Sequence, residues 1–443
     1  MDAASMAALL PELERHLDRF SDCFSRREQR EALRLYVRGQ LSDLERKSIE
    51  PIALEFGVPP RNIQQFLSQA GWDHEMVRAR TMQILREEYD DPESVGILDE
   101  TYHAKKGNKT PGVQRQWCGT KGTTDNCTVT VHLSLAAANA RCMVDSELFL
   151  PEQTWSNDRA RCRAAGIPDE VVYRPKWKIA LELLDRASLN GLRFGWLTFD
   201  AGYGMHGDFM TGLDGRNVLY VGEVPEHLPG WAKAPPVMLK EHASHSHTGH
   251  PRTFPRVKVL PGEMHKAKAA GSLTRRSPAF TSQSWTAFRV KDDSGGPVVW
   301  EAKEAPFHLR RGGKNVGYPT WAHRLIIARN VLTQETKHFV SNAPKSVPLQ
   351  TLLKVAFTRW AVERCSEDAK GPGMYSICQV DSSPIFTRIA RQQGQGLSAS
   401  GRSCSQRVTG SCAKASAPRL RRPPRPPRPR RTRREGVVPA VAF

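Results

Sequence analysis

The spacing of hydrophobic residues divides the chain into a helical first part and a later part of strands and helices. Between residues 1 and 90, apolar side chains recur at every third or fourth position, which predicts an N-terminal helical domain. Residues 48–67 predict a short helix, a glycine-containing turn and a second helix that starts near Pro59. This pair is either a helix-turn-helix that reads DNA or two packed helices without groove contact, and the pattern does not choose between them.

From Ser94 onward the pattern changes to short apolar runs. The predicted strands cover residues 94–99, 127–136, 141–150, 194–200 and 218–221, and the predicted helices cover residues 176–190 and 205–213. Three strands, helix, strand, helix, strand is the order of an RNase-H-like core, an α/β fold whose mixed sheet is flanked by helices. In this prediction the first strand ends in Asp99 and the fourth in Asp200, and the two strands are neighbours. Open α/β sheets keep their sites at the carboxyl ends of strands.

The first part of the predicted core, residues 91–224, is followed by sequence of a different kind. Residues 225–345 contain several probable hairpins, such as 285–290 with 297–302, and predict an inserted β domain. The sequence D-S-G-G-P at 293–297 resembles the nucleophile loop of a serine protease, but between two alternating strands it predicts a hairpin turn. Residues 346–371 then predict a core helix that carries Glu363.

The last segment, residues 372–443, is rich in Arg, Pro, Ser and Gly and predicts a disordered basic tail. It is either a nucleic-acid-binding arm or an out-of-frame translation of a GC-rich gene, and of the two we favour the second. The formal net charge of the chain is +19. Residues 371–443 contain 14 basic and 2 acidic residues and so contribute +12 of this charge. A basic body favours a polyanionic partner.

Cysteine usage and hydropathy indicate the compartment. The nine cysteines include no C-x-x-C pair, which is typical of reduced thiols and not of a disulfide framework. No apolar run is long enough to span a bilayer, and the amino terminus has no secretory signal. We therefore expect a soluble protein in the cytoplasm, associated with the nucleoid.

Three carboxylates suggest metal-dependent phosphodiester chemistry. Such cleavage uses two divalent ions about 3.5–4 Å apart, and Mg²⁺ or Mn²⁺ prefers hard oxygen ligands. Asp99 and Asp200 on neighbouring strands would hold these ions, and a third acid has to come from a helix that crosses the sheet edge. Glu363 is placed for that role, with Arg359 one helical turn before it and Lys370 two turns after it. An ordinary surface ladder of ion pairs is the alternative for this helix.

With these carboxylates, the chain resembles the bacterial insertion-sequence transposases of the DDE class. Within that class it is similar to the group whose RNase-H-like core is interrupted by a β insertion. The matching segments are G-I-L-D-E-T (96–101), G-V-Q-R-Q-W-C-G-T-K-G-T-T-D-N-C (112–127), L-T-F-D-A-G-Y-G (197–204), Y-V-G-E-V-P (220–225), F-V-S-N-A-P (339–344) and R-W-A-V-E-R-C-S-E-D-A-K-G (359–371). The family signature Y-x-x-R-x-x-x-E-x-x-x-x-x-x-K fits Arg359, Glu363 and Lys370, while its tyrosine position holds Ala356.

The resemblance implies roles for these residues. Asp99, Asp200 and Glu363 would be the catalytic and metal-binding residues of an enzyme that nicks the element end and joins the freed 3′-hydroxyl to target DNA. Arg359 and Lys370 would contact phosphates, and Tyr203 would line the site. A homodimer would hold the paired double-stranded ends.

A basic stretch with one aromatic residue is suited to phosphate contact and base stacking, with a solvated loop as the alternative. It contains Lys105, Lys106, Lys109, Arg115, Trp117 and Lys121.

Two other functions stay open. The chain could be a non-catalytic DNA-binding remnant of a transposase, since the family pattern fails just past Lys370, where further helices would complete the core. A nuclease or resolvase on the same core would cut DNA without joining an end to a target.

Overall fold

The computed structural model describes residues 3–138, 140–238, 256–257, 266–293, 296–310 and 322–359. The predicted tail and the part of the predicted core helix beyond Arg359 lie outside these residues. Among the residues described, no helix is both long and apolar enough to cross a lipid bilayer.

The first part of the chain is helical, as the hydrophobic spacing predicts. Its helices are α1 (Ala3–Asp18), α2 (Arg27–Leu41), α3 (Ile49–Glu55), α4 (Pro60–Ser68) and α5 (His74–Glu88). Pro60 occupies the first turn of α4, where a missing backbone N–H costs nothing. Ile63 and Phe66 bury the inner face of α4, and its other face is exposed. Helix, turn and helix are thus where residues 48–67 predict them.

The core strands follow in the predicted order, with one additional strand. They are β1 (Val95–Ala104), β2 (Gln114–Cys118), β3 (Thr123–Ala136), β4 (Arg141–Leu148), β5 (Trp196–Phe199) and β6 (Tyr220–Val224). The helices between them are α6 (Arg159–Ala164), α7 (Lys176–Leu189), α8 (Ala201–Gly204) and α9 (Gly207–Gly215). A single π-helical turn covers Glu152–Ser156.

Strand pairing establishes the RNase-H-like arrangement. β3 runs antiparallel to β1 on one edge and antiparallel to β4 on the other, while β5 pairs parallel with both β1 and β6. The resulting order is β4-β3-β1-β5-β6. The predicted α/β class, a mixed sheet flanked by helices, is confirmed. One boundary is wrong: β1 does not end at Asp99 but continues to Ala104, because β3 keeps pairing with it as far as Cys127.

The inserted region forms strands that extend this same sheet. They are β7 (Pro229–Trp231), β8 (Val237–Met238), β9 (Arg256–Val257), β10 (Lys268–Ala269), β11 (Thr286–Asp293), β12 (Gly296–Leu309), β13 (His323–Asn330) and β14 (Thr336–Ser341), with helices α10 (Ala270–Arg276) and α11 (Pro278–Thr281). β14 pairs with β6, and β13, β12 and β7 follow outward, whereas β8 and β9 form a separate pair. β11 and β12 form the hairpin predicted around 293–297. The domain boundaries stay a prediction.

Two hydrophobic clusters cover the two faces of the core sheet. On one face, Leu98, Leu197 and Phe199 pack with apolar residues of α7 and α9. On the other face, Val95, Ile97 and Val221 pack beneath helix α12 (Leu349–Thr358), which supplies Leu352, Leu353, Val355, Ala356 and Phe357. Because side chains alternate along a strand, neighbouring residues at the end of each strand face opposite clusters.

Candidate active site

Asp99 and Asp200 occupy equivalent places on adjacent parallel strands. The last paired residues of β1 and β5 are Leu98 and Phe199. Asp99 follows Leu98 within β1, and Asp200 follows Phe199 directly after β5, so the two aspartates lie at the same level of the sheet. Both predicted aspartates therefore meet at one sheet edge.

Local geometry holds the Asp200 side chain in place. Asp200 is the N-cap of α8, and its Oδ1 accepts a hydrogen bond from the backbone N–H of Tyr203 at 3.2 Å. A Cβ at Gly202 would lie 3.0 Å from Asp200 Oδ1, so the glycine leaves space beside the carboxylate. A Cβ at Gly204 would lie 2.0 Å from the carbonyl oxygen of Glu223, so this glycine lets α8 approach β6. Gly202 and Gly204 of D-A-G-Y-G thus serve different steric purposes, space beside Asp200 and close approach of α8 to β6.

Asp99 is in an unfavourable place for a negative charge. Burial raises the pKa of its carboxyl to about 6, and the neighbouring charges of Asp200 and Glu100 act in the same direction. The backbone N–H of Glu100, which donates to Asp99 Oδ1 at 2.8 Å, and the guanidinium of Arg359 partly oppose this rise. A cation beside Asp99 would stabilise its charged form.

A cavity of about 390 Å³ opens beside the two aspartates. Tyr203 lines it and is buried, and its hydroxyl has no hydrogen-bond partner among the described residues. On the opposite wall Glu100 accepts hydrogen bonds from Lys176 Nζ at 2.6 Å and from the Tyr102 hydroxyl at 2.7 Å. Because Lys176 is the first residue of α7 and Glu100 lies on β1, their ion pair links the strand to the helix at the rim of the site.

Arg359 is the only residue of the predicted R-E-K signature within the described ranges. It is the C-cap of α12, and its Nη1 lies 3.9 Å from Asp99 Oδ2. Glu363 and Lys370 lie outside the described residues. Ala356, which stands at the signature's tyrosine position, is buried against the sheet.

The basic stretch is partly a strand and not only a loop. Arg115 and Trp117 are exposed and alternate along β2, so they share one face. Lys105 and Lys106 follow β1, where the Asn126 side chain donates to the carbonyl of Lys105 at 2.7 Å. Lys109 is exposed, and Lys121 is paired with Asp125. The stretch therefore presents Trp117 on a β-structured edge.

Sequence reasoning missed Glu223, Glu100 and Lys176. Glu223 lies on β6 directly after Gly222, which pairs with Phe199 of β5. The available signal was its place in Y-V-G-E-V-P, a carboxylate after a short apolar strand, as in the two aspartate segments. Its link to Arg359 is visible only in three dimensions.

Comparison with known proteins decides the family. A sequence model of the DDE superfamily endonucleases matches residues 19–293, more than half of the chain. The chain belongs to the DDE superfamily endonucleases. It is also similar to the probable transposase for insertion sequence element IS701 of Microchaete diplosiphon, with 30% identity over 193 residues. That alignment covers 43% of this chain and 48% of the relative, so the chain matches about half the length of its relative. The predicted likeness to an insertion-sequence DDE transposase is confirmed, and a transposase or nuclease class of enzyme is supported.

DDE superfamily enzymes use divalent metal ions, and the donor set at this edge suits them in part. Asp99 and Asp200 provide two hard carboxylates, the burial of Asp99 favours a neighbouring cation, and Gly202 leaves room at Asp200. Within the described ranges, however, no group of three or more His, Cys, Asp or Glu side chains is arranged to hold a metal. Glu363, the predicted third ligand, lies outside those ranges.

Proposed function

We propose that this chain is a transposase that cleaves double-stranded DNA at the ends of an insertion sequence and transfers the freed strand to target DNA. The observation that supports this most strongly is the register of β1 and β5, which brings Asp99 and Asp200 to one level at the sheet edge. We propose these two aspartates with Glu363 as the catalytic residues. They would hold two Mg²⁺ or Mn²⁺ ions, which, when bound, supply Lewis-acid activation of the attacking and leaving oxygens.

The chain's own residues would bind and orient the DNA around the aspartates. Tyr203 would offer its buried hydroxyl to the cavity, and Arg359 would contact a phosphate near the cleaved bond. The edge formed by Lys105, Lys106, Arg115 and Trp117 would bind the flanking strand, with Trp117 available for stacking. Lys370 would add a phosphate contact, and a homodimer would hold two element ends.

We also propose that α4 reads DNA, because its exposed face is polar. Arg61, Asn62, Gln64, Gln65 and Ser68 are exposed on it. Amide side chains form paired hydrogen bonds with adenine in the major groove. The exposed amides are the feature that supports the helix-turn-helix, since a polar face by itself is common to both alternatives.

A cleavage assay tests the proposal. The full chain is incubated with labelled duplex that carries the parent element's end, with Mg²⁺ or Mn²⁺, beside Asp200→Ala and Asp185→Asn. Asp185 is a half-exposed acid of α7 that pairs with Arg216, so Asp185→Asn controls for the loss of one negative charge. We expect nicking at the element boundary by the unmodified chain and by Asp185→Asn, and none by Asp200→Ala.

Two further outcomes decide among the rivals. A version with the reading frame restored after Lys370 is tested in parallel, and if it alone cuts, this chain is an inactivated relic. Salt-dependent DNA binding without cleavage by either version supports a DNA-binding remnant. Cutting without any joined product supports a nuclease or resolvase instead.

A further inference from the structure

Three acidic side chains, not two, leave the sheet at the same level. Phe199 of β5 pairs with Leu98 of β1 on one side and with Gly222 of β6 on the other. The next residues on the three parallel strands are Asp99, Asp200 and Glu223. Gly222 packs on Phe199, whereas Val221 packs beneath α12. By the alternation of a strand, Glu223 faces α12, as Asp99 does.

The guanidinium of Arg359 lies between the outer two acids of this row. Its Nη1 is 3.9 Å from Asp99 Oδ2 and its Nη2 is 3.9 Å from Glu223 Oε2. The Arg359 side chain is only 17% exposed. Both distances exceed the range of a hydrogen bond, so charge holds the guanidinium between two carboxylates without locking it onto either.

Glu223 itself has a second cationic partner. Lys337 of β14 places its Nζ 3.2 Å from both carboxylate oxygens of Glu223. Because Lys337 is on the strand next to β6, this contact anchors Glu223 to the sheet. Glu223 is therefore anchored by hydrogen bonds from Lys337, whereas Arg359 contacts Glu223 and Asp99 only at ion-pair distance.

We infer that Glu223 is a positioning residue that draws Arg359 away from Asp99 and so keeps the Asp99 carboxylate available to a divalent cation. This rests on the proposed function, because it takes Asp99 as a metal ligand. A guanidinium that is shared between two carboxylates neutralises each of them only in part. A guanidinium that binds a single carboxylate neutralises that carboxylate more completely. When a cation binds at Asp99, repulsion displaces Arg359, and Glu223 keeps it within reach of DNA phosphate.

The inference predicts a specific effect of removing the Glu223 charge. In Glu223→Gln, Arg359 keeps only Asp99 as an acidic partner in this row, so a divalent cation has to displace a closer ion pair. We expect Mn²⁺ affinity to fall roughly two- to fivefold, the range that a partly exposed ion pair supports. In an Arg359→Gln background there is no guanidinium for Glu223 to draw away from Asp99. We therefore expect Glu223→Gln to cause almost no further change in Mn²⁺ affinity.

The experiment is a double-mutant cycle on Mn²⁺ binding to the full chain without DNA, with free Mn²⁺ measured by electron paramagnetic resonance. The cycle uses the unmodified chain, Glu223→Gln, Arg359→Gln and the double variant, and Asp200→Asn defines which Mn²⁺ ions belong to the site. Glu335→Gln is the matched control. Glu335 lies 3.8 Å from Lys337, the lysine that also contacts Glu223, so this substitution removes one negative charge from the same group of ion pairs. We expect its Mn²⁺ affinity to be unchanged. Glu223→Asp, which keeps the charge, should restore most of the affinity.

The outcomes separate the inference from the function on which it rests. If the Glu223→Gln loss persists undiminished without Arg359, Glu223 acts only as a distant charge and the inference is wrong. If Mn²⁺ binds in an Asp200-dependent way but Glu223→Gln changes nothing, the inference alone is wrong. Absence of any Asp200-dependent Mn²⁺ binding overturns both. Should Glu223→Gln not fold, as thermal unfolding would show, Arg359→Gln alone tests the competition for Asp99: removal of the guanidinium should raise the Mn²⁺ affinity, and an unchanged affinity contradicts the inference.

Discussion

Phe199 and Gly222 lie so close that no other residue fits at position 222. A Cβ added there would lie 1.9 Å from Phe199 Cε2. Phe199 directly precedes Asp200 and is fully buried against Phe209, with ring centroids 4.9 Å apart. The contact between β5 and β6 therefore sets the height at which Asp200 leaves the sheet.

Gly222→Ala should damage both stability and catalysis, because the new methyl group would clash with a ring that is fully buried and packed on Phe209. We expect a loss of about 1–3 kcal/mol in the free energy of unfolding, the usual cost of overpacking. Urea unfolding measures it, and DNA cleavage should fall with it. Gly215→Ala is the control, since nothing lies within 4 Å of a Cβ at the end of α9. Equal stability of the two variants would contradict the steric argument.

Gly202→Ala should impair cleavage without unfolding the protein. The new methyl group would crowd Asp200 Oδ1 at 3.0 Å, but the position is exposed and its surroundings are otherwise open. A displaced catalytic group can cost about a hundredfold in rate, so we expect a loss between roughly tenfold and a hundredfold. Single-turnover cleavage and thermal unfolding, measured on the same preparation, separate the two effects. A variant as fast as the unmodified chain would show that the space beside Asp200 is not needed.

Asp145→Asn should be strongly destabilising. The Asp145 carboxylate is fully buried and accepts hydrogen bonds from Arg186 Nε at 2.6 Å, and it lies 3.0 Å from Arg78 Nε. It thereby joins β4 to α7 and α5. Removal of one buried partner costs about 3–5 kcal/mol, and we expect the lower end because both arginines keep another acid.

Urea unfolding measures the loss for Asp145→Asn. Asp185→Asn is again the control, because an ion pair that is partly exposed contributes at most about 1 kcal/mol. Similar losses in the two variants would mean that the buried network does not act as argued.

His338 should make the protein less stable in mild acid. Burial lowers its pKa below the usual value, Glu226 opposes this shift and Arg275 adds to it, and the ring is hydrogen-bonded with Thr274 Oγ1 at 3.0 Å. Because the folded-state pKa is depressed, the unfolded chain binds the proton more readily. The stability contributed by the neutral ring is present above about pH 6.5 and is lost as the pH falls below it, by at most about 1.4 kcal/mol per pH unit.

Unfolding free energies at pH 7.5 and 5.5 test this pH dependence. The pKa values of His206 and His308 are also lowered by burial, so His338→Gln should reduce the acid loss and not remove it. His74→Gln removes an exposed imidazole on α5 and is measured beside it as the control substitution. A His338→Gln variant with the full acid loss would contradict the prediction.

Gln65→Ala on α4 should weaken binding to the element end more than binding to unrelated DNA. One paired contact of an amide with adenine discriminates by about 1–3 kcal/mol. Gel-shift titration with the element end and with a scrambled duplex measures the ratio. Gln83→Ala, an exposed glutamine of α5, is the control. An equal loss on both duplexes would indicate a phosphate contact instead of base reading.

Several features of this protein follow from local sequence alone. The run from Phe194 to Phe199 is dominated by apolar and aromatic residues and is followed by Asp200, so a buried strand with an acid at its end was predictable. The order of strands and helices also indicated that the strands of Asp99 and Asp200 are neighbours. Periodicity and turn chemistry act over a few residues, and the sequence states them directly.

Contacts between distant segments were decided only by the tertiary structure. β1 continues past Asp99 because β3 pairs with it, and no local signal marks that extension. The inserted strands join the core sheet through β14 and β6, which brings Lys337 to Glu223 across 114 residues. Arg359 reaches Asp99 and Glu223 because α12 packs on the sheet. Backbone pairing and core packing select one arrangement among many that the same local patterns allow. The neighbouring positions of Asp99 and Asp200 were therefore predictable, while the contacts of Glu223 with Lys337 and Arg359 were not.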